Sequence, residues 1–219
     1  MIGAYPSPGG GAEFALAFDR GRPRRVLVLP ALFDEANKLR RFTVEVMRRL
    51  DQAGIDTFLP DLSGCNESLA PLAEQTLATW REASAAAARH FGATEVLAVR
   101  GGCLCEPPSP PALRYAPAAG SSVLRALVRA RVIASQEAGS RESSEALLER
   151  GRSDGLELAG YRLGAAMIRD LEAAAPAREA LATVAQGDVG GAGLWLRAEP
   201  ACDDTQVNAL AAIVAGHLA

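Results

Sequence analysis

Charged and polar residues directly follow three short apolar segments, where a parallel sheet would gather them at one edge. Asp34, Glu35, Asn37 and Lys38 follow Val26–Leu29, Asp61 and Ser63 follow Ile55–Leu59, and Arg100 follows Glu95–Val99. Ligands of open α/β sheets bind beyond the carboxyl ends of the strands. The residue types predict a site for a small anionic ligand or an acyl group, with six candidate binding residues: Glu35, Asn37, Lys38, Arg40, Asp61 and Arg100.

Arg100 lies at the centre of this predicted edge and has two interpretations. In the first, it forms an ion pair with Glu35 or Asp34. In the second, its guanidinium stays free and, with Lys38 or Arg40, binds a carboxylate or a phosphate. We favour the ion pair, because a buried charge without a partner costs free energy.

Cysteine chemistry is the other candidate near Arg100. The chain has four cysteines and two histidines, with no CxxC pair, so we expect neither a metal site nor a cofactor. Cys103 is a candidate nucleophile, since a thiolate attacks esters and thioesters. It would need a lowered pKa, and no histidine is predicted nearby. We favour the interpretation of Cys103 and Cys105 as small buried residues.

The composition is that of one globular domain over residues 1–219. Apolar residues make up 49% of the chain and charged residues 22%. The net charge of −3 argues against a nucleic-acid-binding protein. We expect no membrane span and no signal peptide, and therefore a cytoplasmic protein. A homodimer is compatible with these features.

The pattern of apolar residues predicts an α/β fold. Strands are expected at Val26–Leu29, Ile55–Leu59 and Glu95–Val99, with helices over 36–53 and 72–91 between them. Strands that alternate with helices in this way form parallel sheets with right-handed crossovers. Phe14–Phe18 is predicted to pair with the first of these strands as a hairpin, and Pro6–Gly11 is predicted to be a flexible lead-in.

The second half of the chain does not continue this regular alternation of strands and helices. Glu106–Pro111 reads EPPSPP and cannot form a helix. Ala112–Ala116 is a candidate strand, although its connection is shorter than the dozen or so residues of an ordinary parallel crossover. The remaining predictions are helices at Ser122–Ala138, Ser143–Arg150, Gly164–Ala175 and Asp203–Leu218, and strands at Leu181–Val184 and Leu194–Leu196. Residues 121–176 are expected to form a helical cap-like insertion.

Two segments carry a family resemblance. Phe33–Arg41 reads FDEANKLRR and is similar to F-x-E-E-x-N-K-S-R-R, while Asp61–Ser68 reads DLSGCNES and is similar to D-L-x-G-C-G-D-S. These are motifs of bacterial α/β-hydrolase-fold proteins called exosortase A system-associated hydrolases, the second type in particular. Trp80 and Ala159–Tyr161 match as well, over about residues 24–200. The resemblance implies an eight-stranded, mostly parallel twisted sheet with flanking helices and a small inserted cap.

The same resemblance places Arg100 at the nucleophile position. Active α/β-hydrolases carry G-x-S-x-G there, with an oxyanion hole at the start of the next helix. This chain has Ala98-Val99-Arg100-Gly101-Gly102, and a guanidinium stays protonated. We expect Cys103–Pro111 to replace that helix, which would remove oxyanion donors worth about 3–4 kcal/mol each.

The remaining members of a Ser-His-Asp triad are weakly represented. Asp188 follows a predicted strand, where the catalytic acid would stand, and a turn residue is an equally good interpretation. No histidine follows the last predicted strand. His90 and His217 lie far from the predicted site, and without a base the triad mechanism does not run.

Two functional hypotheses follow from the sequence. In the first, the chain is a degenerate hydrolase, a pseudoenzyme that acts as a binding or accessory protein of an exosortase or exopolysaccharide-type system. In the second, it is an esterase-like hydrolase of acyl esters or thioesters with Cys103 as a non-standard nucleophile. The first is favoured, because the nucleophile turn and the histidine are both missing.

Overall fold

A twisted seven-stranded sheet forms the centre of the protein. The computed structural model describes residues 2–177 and 180–218. The strands are β1 (Ile2–Pro6), β2 (Ala12–Phe18), β3 (Arg25–Leu29), β4 (Asp56–Pro60), β5 (Glu95–Val99), β6 (Ala112–Tyr115), β7 (Leu156–Leu158), β8 (Tyr161–Leu163) and β9 (Ala182–Val184). The sheet order is β1-β2-β4-β3-β5-β6-β9, and β7 and β8 form a separate hairpin. The five strands from β4 to β9 in this order are parallel, whereas β1 and β2 are antiparallel to their neighbours.

Helices cover both faces of the sheet. They are α1 (Asp34–Gln52), α2 (Leu77–Phe91), α3 (Gly120–Glu137), α4 (Ser144–Asp154), α5 (Ala165–Ala173), α6 (Gln186–Val189) and α7 (Asp204–His217). Short 3-10 helices lie at Leu72–Glu74, Arg100–Cys105 and Leu194–Leu196. One core packs α1 and α7 against Val26 and Val28, and the other packs α2, α3 and α5 against Leu27 and Leu29. Because alternate residues of β3 enter different cores, the strand is apolar without a break.

The parallel core of the sheet agrees with the sequence prediction, but the amino-terminal strands do not. Residues predicted as a lead-in contain the end of a strand, because Pro6 closes β1 and the hairpin turn follows it. The predicted pairing of Phe14–Phe18 with β3 is wrong, since β2 pairs with β1 and β4. The Gly, Ser and Pro residues that suggested flexibility form the hairpin turn instead.

The last predicted strand is a helix. Leu194–Leu196 forms a 3-10 turn, so the sheet described over residues 2–177 and 180–218 has seven strands and not eight. Three apolar residues in a row do not distinguish a strand from a helix. Packing decides the matter here, because Leu194 enters the core beside α7 while Trp195 turns toward Arg100.

One helix boundary differs from prediction, and the short connection to β6 is explained. The helix expected from residue 72 begins at Leu77, where the Thr76 side chain accepts a hydrogen bond from the Thr79 backbone N–H. The segment 100–111 joins β5 to the parallel strand β6 through the Arg100–Cys105 3-10 helix and the proline-rich stretch. A short 3-10 helix and a proline-rich stretch therefore connect these two parallel strands, where an α-helix is usual.

Residues 120–173, between β6 and β9, contain α3, α4, the β7–β8 hairpin and α5. Val123, Leu127, Ile168 and Leu171 of this segment are buried in the same core as α2. The hairpin was not foreseen from the sequence, and it brings Tyr161 to the carboxyl edge of the sheet. Among the described helices, none is long and apolar enough to cross a membrane.

Candidate functional site

The chain turns sharply at Arg100, directly after β5. Arg100 has a φ of +53°, a backbone conformation that costs free energy for a side chain other than glycine. A strained residue between a strand and a helix is also the geometry of the nucleophile turn in α/β-hydrolases. Arg100 therefore occupies a strained strand-to-helix turn, and its side chain there is a guanidinium.

The Arg100 guanidinium makes three hydrogen bonds and one aromatic contact. Its Nε and Nη2 donate to the two carboxylate oxygens of Glu35 at 3.0 and 2.9 Å, and its Nη1 donates to the Ala116 carbonyl oxygen at 2.9 Å. The plane lies 4.0 Å from the ring centre of Trp195. The Arg100 side chain is only 16% exposed. Of the two interpretations open from the sequence, the structure has the ion pair, and Glu35 rather than Asp34 is the partner.

Backbone strain is concentrated around this ion pair. Phe33 and Ala116 have φ values of +55° and +44°, so three of the strained residues lie just beyond the carboxyl ends of β3, β5 and β6. Phe33 precedes the first turn of α1, which carries Glu35. Strain of this kind persists only where surrounding contacts hold it. The bidentate pair and the Ala116 hydrogen bond supply those contacts.

The segment after Arg100 differs from the prediction that no helix follows the nucleophile position. Residues Arg100–Cys105 form a 3-10 helix, and the extended proline-rich stretch begins only at Glu106. This helix lies directly against the end of β3, since a Cβ added to Gly102 would be 2.4 Å from the Pro30 carbonyl oxygen. The helix is shorter than an α-helix would be, and its close packing requires glycine.

Cys103 is buried in an apolar environment. Its Sγ lies 3.7 Å from the Ala118 carbonyl oxygen, and burial raises the pKa of the thiol to about 11. No hydrogen bond joins it to a histidine within residues 2–177 and 180–218. Burial raises the pKa of Cys105 as well. At neutral pH both thiols are protonated, and a protonated thiol is a poor nucleophile.

The other triad candidates are exposed and lie apart from Arg100. Asp188 lies in α6, and its carboxylate accepts a hydrogen bond from the Ala185 backbone N–H at 2.7 Å, which makes it a local helix-capping residue. His90 ends α2 and contacts the ring of Phe91, while His217 ends α7.

A cavity of about 410 Å³ lies on the β3–β4 side of the sheet edge. Its walls are the segment after β3, one face of α1 and the turn after β4, and Tyr161 of the β7–β8 hairpin covers it. Of the six predicted binding residues, Asn37, Arg40 and Asp61 line this cavity, whereas Glu35, Lys38 and Arg100 do not. The predicted set is therefore divided between a cavity and an ion-paired cluster.

Lys38 is held away from Arg100 by a different partner. Its ammonium lies 2.8 Å from the Asp34 carboxylate, one turn earlier on α1. Asp34 and Glu35 are adjacent, and the helix turns their side chains to different neighbours. The alternative in which Lys38 joins a free Arg100 at one anion site does not match this arrangement.

The turn after β4 is rigidly built. Asp61 is buried, and its carboxylate accepts a hydrogen bond from Asn66 Nδ2 at 2.7 Å. Ser68 Oγ accepts from the Gly64 backbone N–H at 2.8 Å and donates to the buried Glu13 carboxylate at 2.9 Å. Trp80 Nε1 donates to the Ser63 carbonyl oxygen at 2.9 Å. One cavity wall is therefore fixed by hydrogen bonds before any ligand binds.

The opposite wall comes from the periodicity of α1. Ala36, Asn37, Arg40 and Thr43 share one helix face, and all four line the cavity. Asn37 Nδ2 donates to the Tyr161 hydroxyl at 2.9 Å, and the Phe33 and Tyr161 rings contact edge to face, with centres 5.3 Å apart. Phe33 and Tyr161 were not among the candidate site residues. The only sequence signal for them is that both lie in the segments that carry the family resemblance.

The described residues offer no cluster of His, Cys, Asp and Glu that could hold a metal ion. No family model matches the sequence, and no curated protein matches it either. Solved structures do resemble the fold.

The similarity to three of these solved structures is as follows. Alpha/beta hydrolase domain-containing protein 10 from mouse aligns with a TM-score of 0.51 at 17% identity, covering 78% of this chain and 69% of the mouse chain. A proline iminopeptidase from Mycobacterium smegmatis aligns with a TM-score of 0.44 at 15% identity, covering 70% of this chain and 61% of its own.

An esterase from Exiguobacterium antarcticum aligns with a TM-score of 0.43 at 16% identity, covering 63% of this chain and 58% of its own. This chain thus covers less than two thirds of the length of the iminopeptidase and the esterase. At these identities the likeness concerns the fold alone. With its mostly parallel sheet and flanking helices, the chain has the α/β-hydrolase fold.

Proposed function

We propose that this chain is a non-catalytic binding protein built on the α/β-hydrolase fold, with its ligand in the cavity between α1 and the turn after β4. The observation that carries the proposal is the ion pair of Arg100 with Glu35 at the carboxyl edge of the sheet. A guanidinium stays protonated and is no nucleophile, and here it is held by three hydrogen bonds and an aromatic contact.

The missing catalytic groups support the same conclusion. Acyl transfer needs a nucleophile, a base that takes its proton and donors for the oxyanion. The protonated Cys103 thiol and the exposed, distant histidines do not provide the first two. Losing the nucleophile and the base together leaves at most the weak catalysis of binding and polarisation.

The cavity supports a binding role. Small-molecule sites are concave and largely apolar, with volumes of about 300–1,000 Å³ and a few converging polar groups. A cavity of about 410 Å³ with Asn37, Arg40 and Asp61 among its lining residues fits that description. It also lies beyond the carboxyl ends of β3 and β4, where open α/β sheets bind their ligands.

An accessory role in an exosortase or exopolysaccharide-type system is the cellular part of the proposal. It rests on the resemblance of Phe33–Arg41 and Asp61–Ser68 to the exosortase A system-associated hydrolases. We expect the gene for this chain to lie beside genes of such a system. A genomic neighbourhood without any of them would contradict this part and leave the binding role standing.

Hydrolysis assays test the absence of catalysis. We expect the purified chain to release no product above the blank from p-nitrophenyl butyrate, p-nitrophenyl octanoate or butyryl-CoA. The matched variants are Cys103→Ala and Cys105→Ala, which remove neighbouring buried thiols. Turnover that Cys103→Ala abolishes and Cys105→Ala retains would replace the proposal with a cysteine hydrolase.

A further inference from the structure

The cavity has hydrogen-bond donors that the protein does not use. Arg40 is 45% exposed, and its one ionic contact is with Asp61 Oδ1 at 3.8 Å, beyond hydrogen-bonding distance. Within residues 2–177 and 180–218 its guanidinium makes no hydrogen bond. The Tyr161 hydroxyl accepts from Asn37 and so keeps its own proton for another acceptor.

The buried acceptor of the cavity, Asp61, is in contrast partly engaged. Asp61 Oδ1 accepts from Asn66 at 2.7 Å, and the Glu67 backbone N–H lies 3.5 Å from Asp61 Oδ2. The other carboxylate in the lining, Glu67, is exposed to water. Arg40 and the Tyr161 hydroxyl are the cavity's unused donors, and they favour a ligand that brings acceptors.

Most of the remaining lining is apolar. Leu32, Phe33, Leu62 and Leu72 contribute hydrocarbon surface, and Tyr161 adds the face of its ring. A planar guanidinium binds a carboxylate through two parallel hydrogen bonds, and the hydrocarbon wall gives the rest of such a molecule a place away from water.

We propose that the cavity binds a carboxylic acid with an apolar body, its carboxylate on Arg40 and the Tyr161 hydroxyl and its body against Phe33 and Leu62. This inference rests on the proposed function and specifies its ligand class. Glu35 and Arg100 take no part, because their charges neutralise each other outside the cavity. Asp61 weakens the binding of an anion and keeps Arg40 close to the cavity when it is empty.

Three probes that share one body separate the ligand class from the site. They are 4-phenylbutanoate, 4-phenylbutan-1-ol and 4-phenylbutylamine, titrated by calorimetry up to about 10 mM, the range expected for ligands of this size. We expect the acid to bind more tightly than the alcohol and the alcohol more tightly than the amine. Tighter binding of the amine would overturn the inference, because it would assign the head group to Asp61 and Glu67.

Two adjacent arginines provide the matched control. Arg40→Gln is expected to weaken binding of the acid roughly 10- to 100-fold, the effect of removing a charge-assisted pair, and to leave the alcohol unchanged. Arg41→Gln removes the same charge from an exposed position that does not line the cavity, and is expected to change nothing. Equal losses in both variants would contradict a specific role for Arg40.

Two more variants complete the test. Asp61→Asn keeps an oxygen for Asn66 and removes the competing charge, so it should strengthen binding of the acid; weaker binding would contradict the role assigned to Asp61. Ala36→Phe fills the cavity from a half-buried helix position and should abolish binding of every probe. If the alcohol or the amine binds and Ala36→Phe blocks it, the site stands and only the ligand class is wrong. If no probe binds, or if Ala36→Phe leaves binding intact, the cavity is not the site and the proposed function fails with it.

Discussion

Arg100 and Glu35, 65 positions apart in sequence, form a bidentate ion pair at the carboxyl edge of the sheet. The pair joins the end of β5 to the first turn of α1. It also holds two strained backbone segments in place, at Phe33 and at Arg100 itself. The pair therefore stabilises the contact between the sheet edge and α1.

Removing one partner of this pair should destabilise the protein. Glu35→Ala is expected to lower the free energy of unfolding by about 1–3 kcal/mol, because the guanidinium left behind is only slightly exposed and has lost its counter-charge. Urea denaturation measures this change. The double variant Glu35→Ala/Arg100→Met should cost less than the sum of the two single variants.

Asp34 supplies the control for that experiment. It neighbours Glu35 and pairs with Lys38, but its side chain is 54% exposed. Exposed pairs contribute about 0–1 kcal/mol, so Asp34→Ala should have little effect on stability. Equal losses for Asp34→Ala and Glu35→Ala would show that the Arg100 pair has no special structural role.

The two glycines after Arg100 should respond very differently to alanine. At Gly102 a Cβ would meet backbone, 2.4 Å from the Pro30 oxygen, whereas at Gly101 it would meet the flexible side chains of Leu32 and Val123 at 3.1 and 3.2 Å. Gly102→Ala is therefore expected to cost about 2–4 kcal/mol, and Gly101→Ala about 1 kcal/mol or less. Thermal unfolding measures both, and similar costs would contradict the close packing of the 3-10 helix on β3.

Thiol reactivity should follow burial. Burial raises the pKa of Cys103 to about 11 and that of Cys65 to about 12, and Cys105 is raised in the same direction. Cys202 is less buried than Cys103 and Cys105, so N-ethylmaleimide at about pH 8 should label it first in the native protein.

Peptide mass spectrometry of the native protein reads out the order of labelling. Guanidinium-unfolded protein, in which all four cysteines should react, is the control. Rapid labelling of Cys103 before Cys202 would contradict the inert environment described for it and would revive the cysteine nucleophile.

Stability should decline in acid because of ion pairs at the opposite edge of the sheet. Hydrogen bonds from Arg20 hold the pKa of Asp51 down at about 2, and a hydrogen bond from Arg25 does the same for Asp19. A lowered folded-state pKa adds stability above about pH 4 that is lost as the pH falls toward 2. The free energy of unfolding should therefore change most steeply with pH between about pH 4 and pH 2.

Asp51→Asn tests the assignment. It should lower stability at neutral pH and flatten the dependence between about pH 4 and 2, since the group that takes up the proton is gone. Asp154 is exposed and forms no salt bridge within the described part of the chain, so Asp154→Asn is the matched control. An acid profile that Asp51→Asn leaves as steep as before would assign the loss to other carboxylates.

The sequence by itself determined the parallel centre of the fold and the absence of a nucleophilic side chain at position 100. β5 has the predicted bounds, and β3, β4 and β6 agree to within a residue, because continuous apolar runs that alternate with helical segments, such as Val26–Leu29, favour strands covered on both faces. A guanidinium at position 100 excludes hydroxyl or thiol attack there whatever surrounds it.

Tertiary structure decided the rest. Which of Asp34 and Glu35 meets Arg100 depends on the rotation of α1 against β5, and neither local propensity nor composition fixes that rotation. β1 and the strands of the β7–β8 hairpin are three to five residues long, which is too short for residue periodicity to identify them. Leu194–Leu196 is also too short to identify; it forms a 3-10 turn in which Leu194 enters the core and Trp195 packs against that core and over Arg100. The cavity forms only where α1, the turn after β4 and Tyr161 meet. Its walls come from segments that are far apart in the sequence, so no single segment indicates it.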